Sequence, residues 1–160
     1  SLRLLLEKEA LRRAMDRVSE EDLAEMQRLV DGLGKAAREL SDPEIIVALD
    51  LEFHQYLCKV ADHSRLCVAW NSLRLQMQML IGWTSKTHYR YPDQPRELHQ
   101  QIVDALRHQD LAQGEAVLAE HIADAHQRAL MARQSLRISR DADENENLNH
   151  QPQHIREQSS

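Results

Sequence analysis

Residues 49–57 read LDLEFHQYL, an apolar helical pattern in which an aspartate and a histidine stand four residues apart. Steps of three or four residues from Asp50 trace a single helix face, whose members are Ile46, Asp50, His54, Leu57 and Ala61. A carboxylate in an apolar interior needs a counter-charge, a hydrogen-bond network or a metal ion, because an unpaired buried charge is heavily penalised. The stretch therefore predicts a core helix that carries a polar site.

The composition favours a single helical domain. A chain of 160 residues, 42% of them hydrophobic, can bury one compact core. Four glycines, four prolines and 4% aromatic residues, beside abundant Leu, Ala, Glu, Gln and Arg, favour helix over sheet. We therefore expect an all-α fold. The net charge of −6 provides no broad cationic surface, so this chain alone is a poor candidate for gripping a phosphate backbone.

The cysteine content and the absence of targeting signals point to a cytoplasmic protein. Only Cys58 and Cys67 occur, and the sequence shows no signal peptide and no apolar run of about 18 residues. The chain starts at Ser1 and enters a helical pattern at once. We therefore expect that a segment upstream of it has been removed.

Six helices are predicted, at approximately residues 2–17, 20–40, 43–61, 66–86, 96–108 and 111–133. Leu4, Leu5, Leu11, Ala14 and Met15 form the expected apolar face of the first helix. Ser19, Asp42 and Asp110 are the expected N-caps of the second, third and sixth helices. Residues 86–95 are predicted to be an exposed loop, and residues 138–160 a flexible polar tail after a domain over residues 1–137.

Two later histidines also lie on apolar helix faces. His99 shares its face with Ile102, Val103 and Leu106, and His121 shares its face with Val117, Leu118 and Ala125. Asp110 stands midway between the two histidines. If the fifth and sixth helices form an antiparallel hairpin that turns there, both imidazoles come to the same height, where Asp50 and His54 could face them.

One carboxylate and three imidazoles suit a divalent ion such as Zn²⁺, Ni²⁺, Mn²⁺ or Fe²⁺. The predicted metal ligands are Asp50, His54, His99 and His121. The alternative is a metal-free core in which Asp50 pairs with His54 while the two later histidines bond to carbonyls. Cys58 is interpreted as a small core side chain. Six histidines are not expected to be ligands: His63, His88, His108, His126, His150 and His154.

Four stretches carry a resemblance to a known family: RLLLEKEALRRA, VSEEDLAEM, DLEFHQYLCKVADHSRL and LHQQIVDALRHQDLAQGEAVLAEHI. Over about residues 2–130 the chain resembles the C-terminal ligand-sensing FCD domain of bacterial GntR-family transcription regulators of the FadR subgroup. The resemblance implies an antiparallel helical bundle of six or seven helices. It also implies a divalent metal ion held by the same four residues. The chain departs from the family in the loop DHSRL, where the family often has a small residue or Asn.

The resemblance further implies a sensor and not an enzyme. In the family, a small organic acid completes the metal shell, and the domain forms a homodimer that positions an N-terminal winged helix-turn-helix head on operator DNA. That head is absent from this sequence. Two alternatives are a metal-dependent hydrolase, for which the sequence offers no H-E-x-x-H or E-x-x-H motif, and a structural helical interaction module.

Arg74 is the candidate ligand for the effector's carboxylate. It shares a helix face with Trp70, Met77 and Ile81, and a cation on an apolar face needs an anion nearby. A structural ion pair with a helix acid is the alternative. By analogy with the family, helices one and four are the candidate dimer surface.

Overall fold

The computed structural model of the chain describes residues 1–39, 42–88 and 94–149. These residues form six helices: α1 Leu2–Met15, α2 Glu20–Arg38, α3 Pro43–Val60, α4 Ser64–His88, α5 Gln94–Arg107 and α6 Leu111–Asn149. No strand occurs within the described ranges. The prediction of an all-α fold is therefore confirmed. No helix in these ranges has the length and apolarity required to cross a membrane.

The predicted starts of α2, α3 and α6 are confirmed by their capping hydrogen bonds. At α2 the hydroxyl of Ser19 accepts from the backbone N–H of Asp22, and the Asp22 carboxylate accepts from the backbone N–H of Ser19. This reciprocal pair satisfies two N–H groups that have no partner inside the helix. The side chain of Asp42 accepts from Glu44 N–H at α3, and Asp110 accepts from Gln113 N–H at α6.

Several predicted boundaries were wrong. Residues 86–88 belong to α4 and residues 94–95 to α5, which corrects the predicted loop over residues 86–95. The rest of that loop lies outside the described residues. α6 continues to Asn149, past the predicted end at Arg133 and through residues 138–149 of the predicted tail. A formed helix gains one hydrogen bond per added residue, and residues 134–149 contain no Gly or Pro to end it. Residues 150–160 lie outside the described part.

α3 has three neighbouring helices in the bundle. It packs against α1, α2 and α4, while α5 packs on α2 and α6, and α6 packs on α1 and α4. The core is built on Phe53 of α3, Trp70 of α4 and leucines from the surrounding helices. On α1, Leu11, Ala14 and Met15 are buried as predicted, but Leu5 is 69% exposed and was wrongly assigned to the core.

α6 approaches α1 and α5 closely at Gly114. A Cβ atom at this position would lie 2.9 Å from Cδ2 of Leu11 and 3.3 Å from Cβ of Ala105. Such spacing is too short for a larger side chain without a shift of its neighbours. His121 follows Gly114 by two helical turns on the same face. The close packing at Gly114 therefore brings that histidine towards the centre of the bundle.

Candidate metal centre

The four predicted ligands converge between α3, α5 and α6. Oδ1 of Asp50 lies 3.3 Å from Nε2 of His99, 3.5 Å from Nε2 of His121 and 3.9 Å from Nε2 of His54. The Nε2 atoms of His54 and His121 are 3.0 Å apart. One ligand atom from each of the four side chains lies within 4.8 Å of all the others. Four potential metal-binding atoms thus share one small volume.

The cluster lies inside the protein. His54 and His99 are 0% exposed, His121 is 3% exposed and Asp50 is 6% exposed. Because Asp50 is closer to His99 and His121 than to His54, an isolated pair of Asp50 with His54 does not describe the site. The four polar groups face one another, as the ligands of a buried ion do.

The α5–α6 hairpin places His99 and His121 side by side. Its turn uses Gln109 with φ of 54° and the cap at Asp110, so the two helices reverse direction over a few residues. The two imidazole centroids lie 4.5 Å apart. Phe53 packs edge-on against His99 at a centroid distance of 4.6 Å, which fixes one side of that ring. The sequence argument for a common height is consistent with this geometry.

A fifth buried polar residue, Glu7 of α1, was missed by the sequence analysis. Its side chain is 0% exposed, and Oε2 lies 2.7 Å from Nδ1 of His54. Oε1 accepts hydrogen bonds of 2.8 Å from Nε1 of Trp70 and from Nε of Arg3. The signal that could have identified Glu7 is its helical spacing, because Arg3 and Glu7 precede Ala10 and Ala14 on one face.

Arg3 joins both carboxylates of the site. Its side chain is 10% exposed, it forms an ion pair with Glu7, and its Nη2 lies 3.8 Å from Oδ2 of Asp50. Neither Nη2 of Arg3 nor Oδ2 of Asp50 makes a hydrogen bond within the described structure. The guanidinium therefore acts on Asp50 through its charge. One cation thus stabilises two buried anions.

The ionisation states follow from these contacts. Burial opposes ionisation of Glu7, but its interaction with His54, the charge of Arg3 and the N–H donor of Trp70 outweigh it, so the pKa of Glu7 is lowered. Burial also opposes ionisation of Asp50, yet hydrogen bonds from His121 and His99 hold its pKa well below the usual value. Burial and the neighbouring His99 lower the pKa of His121 to about 3. Ionised carboxylates and neutral imidazole are the forms that bind metal ions.

The residues present fit a divalent metal ion. The donor set is one carboxylate oxygen and three imidazole nitrogens, which suits Zn²⁺ and similar ions of intermediate softness. The site also has the outer contacts expected around metal ligands, since His54 faces Glu7 through the ring nitrogen opposite the cluster. An ion bound here would supply Lewis acidity and positive charge to an oxygen ligand.

The other cysteine and histidine side chains that the structure describes lie outside the cluster. Cys58 is 1% exposed, burial raises the pKa of its thiol, and its carbonyl accepts from Sγ of Cys67. Nδ1 of His63 accepts from Leu66 N–H at the start of α4, and Nδ1 of His108 lies 2.8 Å from the carbonyl of Asp104. His126 is exposed, while the side chains of His88, His150 and His154 lie outside the described structure.

Arg74 lies on α4 in a half-buried position. Trp70 and Met77, which share its predicted face, are buried, and the side chain of Ile81 lies outside the described structure. Nη1 of Arg74 donates a 2.8 Å hydrogen bond to Oε1 of Gln55. This partner is a neutral amide and not the helix acid of the alternative. The role of Arg74 in effector binding stays a prediction.

Comparison with known proteins identifies the family. Residues 1–124 match the FCD domain, and the chain belongs to the FCD domain family. The structure of E. coli McbR/YncC is similar, with a TM-score of 0.68 at 24% identity over 84% of this chain and 62% of that chain. Streptococcus agalactiae GntR has a TM-score of 0.65 at 23% identity over 80% of this chain and 56% of that chain. Both likenesses support the fold.

One relative from Paenarthrobacter nicotinovorans is described as a probable D-xylose utilization operon transcriptional repressor. It is 30% identical over 90 residues, which make up 56% of this chain and 38% of the relative. This chain therefore spans less than two thirds of the length of each of the three proteins. The family and this relative belong to transcription regulation, which confirms the prediction that the chain is not an enzyme and leaves the hydrolase alternative without support.

Proposed function

We propose that this chain is the metal- and effector-binding domain of a cytoplasmic transcription regulator of the GntR family, FadR subgroup. The observation that carries the proposal is the buried cluster of Asp50, His54, His99 and His121 inside an FCD domain. In the full-length regulator, a winged helix-turn-helix head N-terminal to this domain would bind operator DNA. The net charge of −6 on this chain agrees with the proposal that the head, and not this domain, contacts the DNA.

The charges around the cluster favour an anionic effector. Asp50 and Glu7 are two carboxylates near one guanidinium, Arg3, which leaves a single net negative charge when the imidazoles are neutral. A divalent cation would convert this into a single net positive charge. A carboxylate bound to the ion would then restore neutrality in a buried site, where uncompensated charge is costly.

The proposed effector is a small organic acid. Its carboxylate would occupy the coordination positions that the protein leaves open, and Arg74 is the proposed second anchor. The relative named for D-xylose utilization raises the alternative of a neutral sugar. Lactate, succinate and citrate, compared with D-xylose, would separate acidic from neutral effectors by the shift each causes in the thermal unfolding midpoint.

Effector binding would act on the relative placement of two protomers. The proposed ligands come from α3, α5 and α6, and a ligand that draws these helices together more tightly in one arrangement would shift the population towards it. The proposed homodimer surface lies on α1 and α4, which carry exposed apolar side chains at Leu2, Leu5, Val68, Leu75 and Met79. Exposed apolar surface of this kind often marks an interface between chains.

The direct test is the metal content of protein purified without a metal-affinity tag. Elemental mass spectrometry should find about one ion per chain in the parent protein and almost none in the His99→Ala, His121→Ala variant. A matched control is the His108→Ala, His126→Ala variant, which removes two exposed imidazoles and should retain the ion. Parent protein that stays free of metal after incubation with Zn²⁺, Ni²⁺ and Mn²⁺ would exclude the metal-dependent sensor. A ligand pocket that works without a metal ion would then remain, beside the structural interaction module.

A further inference from the structure

Glu7 approaches His54 from the side opposite the metal cluster. Oε2 of Glu7 lies 2.7 Å from Nδ1 of His54, whereas Nε2 of the same ring lies 3.0 Å from Nε2 of His121. Both side chains are 0% exposed, so bulk solvent does not reach this contact. Although the atoms are this close, their orientation falls short of a well-aligned hydrogen bond.

The carboxylate of Glu7 is held in this orientation by two further residues. Nε1 of Trp70 and Nε of Arg3 both donate to Oε1, each at 2.8 Å. With Oε1 occupied by these donors, Oε2 is the oxygen that faces the imidazole. A carboxylate in the ionised form only accepts hydrogen bonds, so the proton of a neutral His54 belongs on Nδ1.

We infer that Glu7 is a positioning residue for the metal site, which fixes the tautomer and ring direction of His54 so that Nε2 is free to bind the ion. This inference rests on the proposed metal-binding function. A carboxylate that accepts from the distal ring nitrogen increases the basicity of a metal-binding imidazole and restricts its rotation. Arg3 and Trp70 support the same carboxylate, and Arg3 also places positive charge 3.8 Å from Asp50.

The arrangement has a consequence for α1. The four proposed ligands belong to α3, α5 and α6, but Arg3 and Glu7 belong to α1. Metal binding should therefore tighten the packing of α1 against α3, because the ion strengthens the preferred direction of the His54 ring. In the proposed regulator, α1 is the part of the domain that follows the DNA-binding head. The outer contacts of the ion thus lie on the helix best placed to communicate with that head.

The test compares Glu7→Gln with the parent protein. The amide keeps the shape of the side chain but removes its charge, and it can present an N–H group to Nδ1 where the carboxylate only accepts. Zn²⁺ affinity, measured by competition with a chromophoric chelator, should fall about 10- to 100-fold. The visible absorption bands of the Co²⁺-loaded protein should also shift, since they report the ligand geometry around the ion.

Two further variants keep the inference open to disproof. Glu9→Gln changes a half-buried glutamate on the same helix, which pairs with Arg12 and Arg13, and should leave the Zn²⁺ affinity and the Co²⁺ spectrum unchanged. Trp70→Phe is the substitute test if Glu7→Gln does not fold. It retains Glu7 but removes one hydrogen-bond donor to it, and should weaken Zn²⁺ binding by a smaller factor. Equal Zn²⁺ affinity in Glu7→Gln and the parent, or in Trp70→Phe and the parent, would overturn the inference while leaving the proposed function intact. Absence of metal binding by the parent would overturn both.

Discussion

The neighbouring helices α3 and α4 both combine polar and apolar residues, yet α3 buries polar side chains whereas α4 exposes apolar ones. On α3, Asp50 is 6% exposed and His54 is 0% exposed. On α4, Arg74 is half-buried, and three apolar side chains, Val68, Leu75 and Met79, are 67% to 71% exposed. The buried face of α3 carries two residues of the candidate site, whereas the exposed face of α4 is a candidate interface.

The difference follows from how the bundle covers each helix. α3 is packed by α1, α2 and α4. Its side chains Asp50 and His54 turn towards the α5–α6 hairpin, which supplies the other two histidines. The polar residues of α3 are therefore stabilised by partners from distant parts of the sequence. The exposed apolar residues of α4 lie on a face that the described chain leaves uncovered. The role of a polar or apolar side chain on a helix therefore depends on which other helices pack against that face.

The largest expected effect concerns the α3 site. Zn²⁺ at a free concentration about 1,000 times its dissociation constant should stabilise the domain by about 4 kcal/mol, because the ion binds the folded state. Calorimetric or fluorescence-monitored unfolding would detect this as a higher midpoint. Asp50→Asn should lose most of the increase, while Val68→Ala on the exposed side of α4 should retain it. Equal stabilisation of the Asp50→Asn variant would remove Asp50 from the site.

The effect expected next in size concerns Arg74. If its guanidinium anchors an effector carboxylate, Arg74→Met should weaken binding of that acid to Zn²⁺-loaded protein by about 10- to 30-fold, equivalent to about 1.5–2 kcal/mol. Isothermal titration with the acid that gives the largest thermal shift would measure it. Arg65→Met is the matched control, because Arg65 is exposed in the first turn of α4. Similar losses in both variants would indicate a general charge effect.

Acidification should weaken the metal-free domain through the same α3 site. The pKa of His121 is about 3 in the folded state, against the ordinary value of 6.5. Between these values the unfolded chain binds a proton that the folded chain does not, so the free energy of unfolding falls as the pH falls. The lowered pKa values of Asp50 and Glu7 act in the same direction at lower pH.

The expected slope near pH 5 from His121 alone is ~1.4 kcal/mol per pH unit. Urea unfolding of chelator-treated protein between pH 7 and pH 5 would measure it. In the His121→Gln variant this dependence should be smaller by that amount. A metal-free parent whose stability is constant over the same range would contradict the assigned neutral state of His121.

The smallest effect on the fold is expected at the exposed face of α4. Leu75→Glu with Met79→Glu should change the free energy of unfolding of the monomer by about 0.5 kcal/mol or less per substitution, because both side chains are exposed. The same variant should nevertheless convert the proposed dimer into a monomer in size-exclusion chromatography with light scattering. Ile45→Glu, on an exposed position of α3, is the control that should leave the dimer intact. A dimeric α4 variant would place the interface elsewhere.

The parts of the fold that rest on local chemistry were predictable. Ser19, Asp42 and Asp110 cap helices because short polar side chains satisfy the free N–H groups of a first turn, which requires no knowledge of the rest of the chain. The end of α6 was not predictable in the same way. Its polar composition after Arg137 suggested a tail, whereas helix extension depends on the helix already formed before it.

The sequence by itself determined the helical class, the starts of α2, α3 and α6, and the candidate group of Asp50, His54, His99 and His121. Those four residues interrupt apolar faces, so burial was implied by periodicity. Only the tertiary structure decided that Glu7 is buried beside His54 while Leu5 is exposed. α1 carries charges on several sides, and the physical environment of each charge depends on which side of the helix the bundle covers.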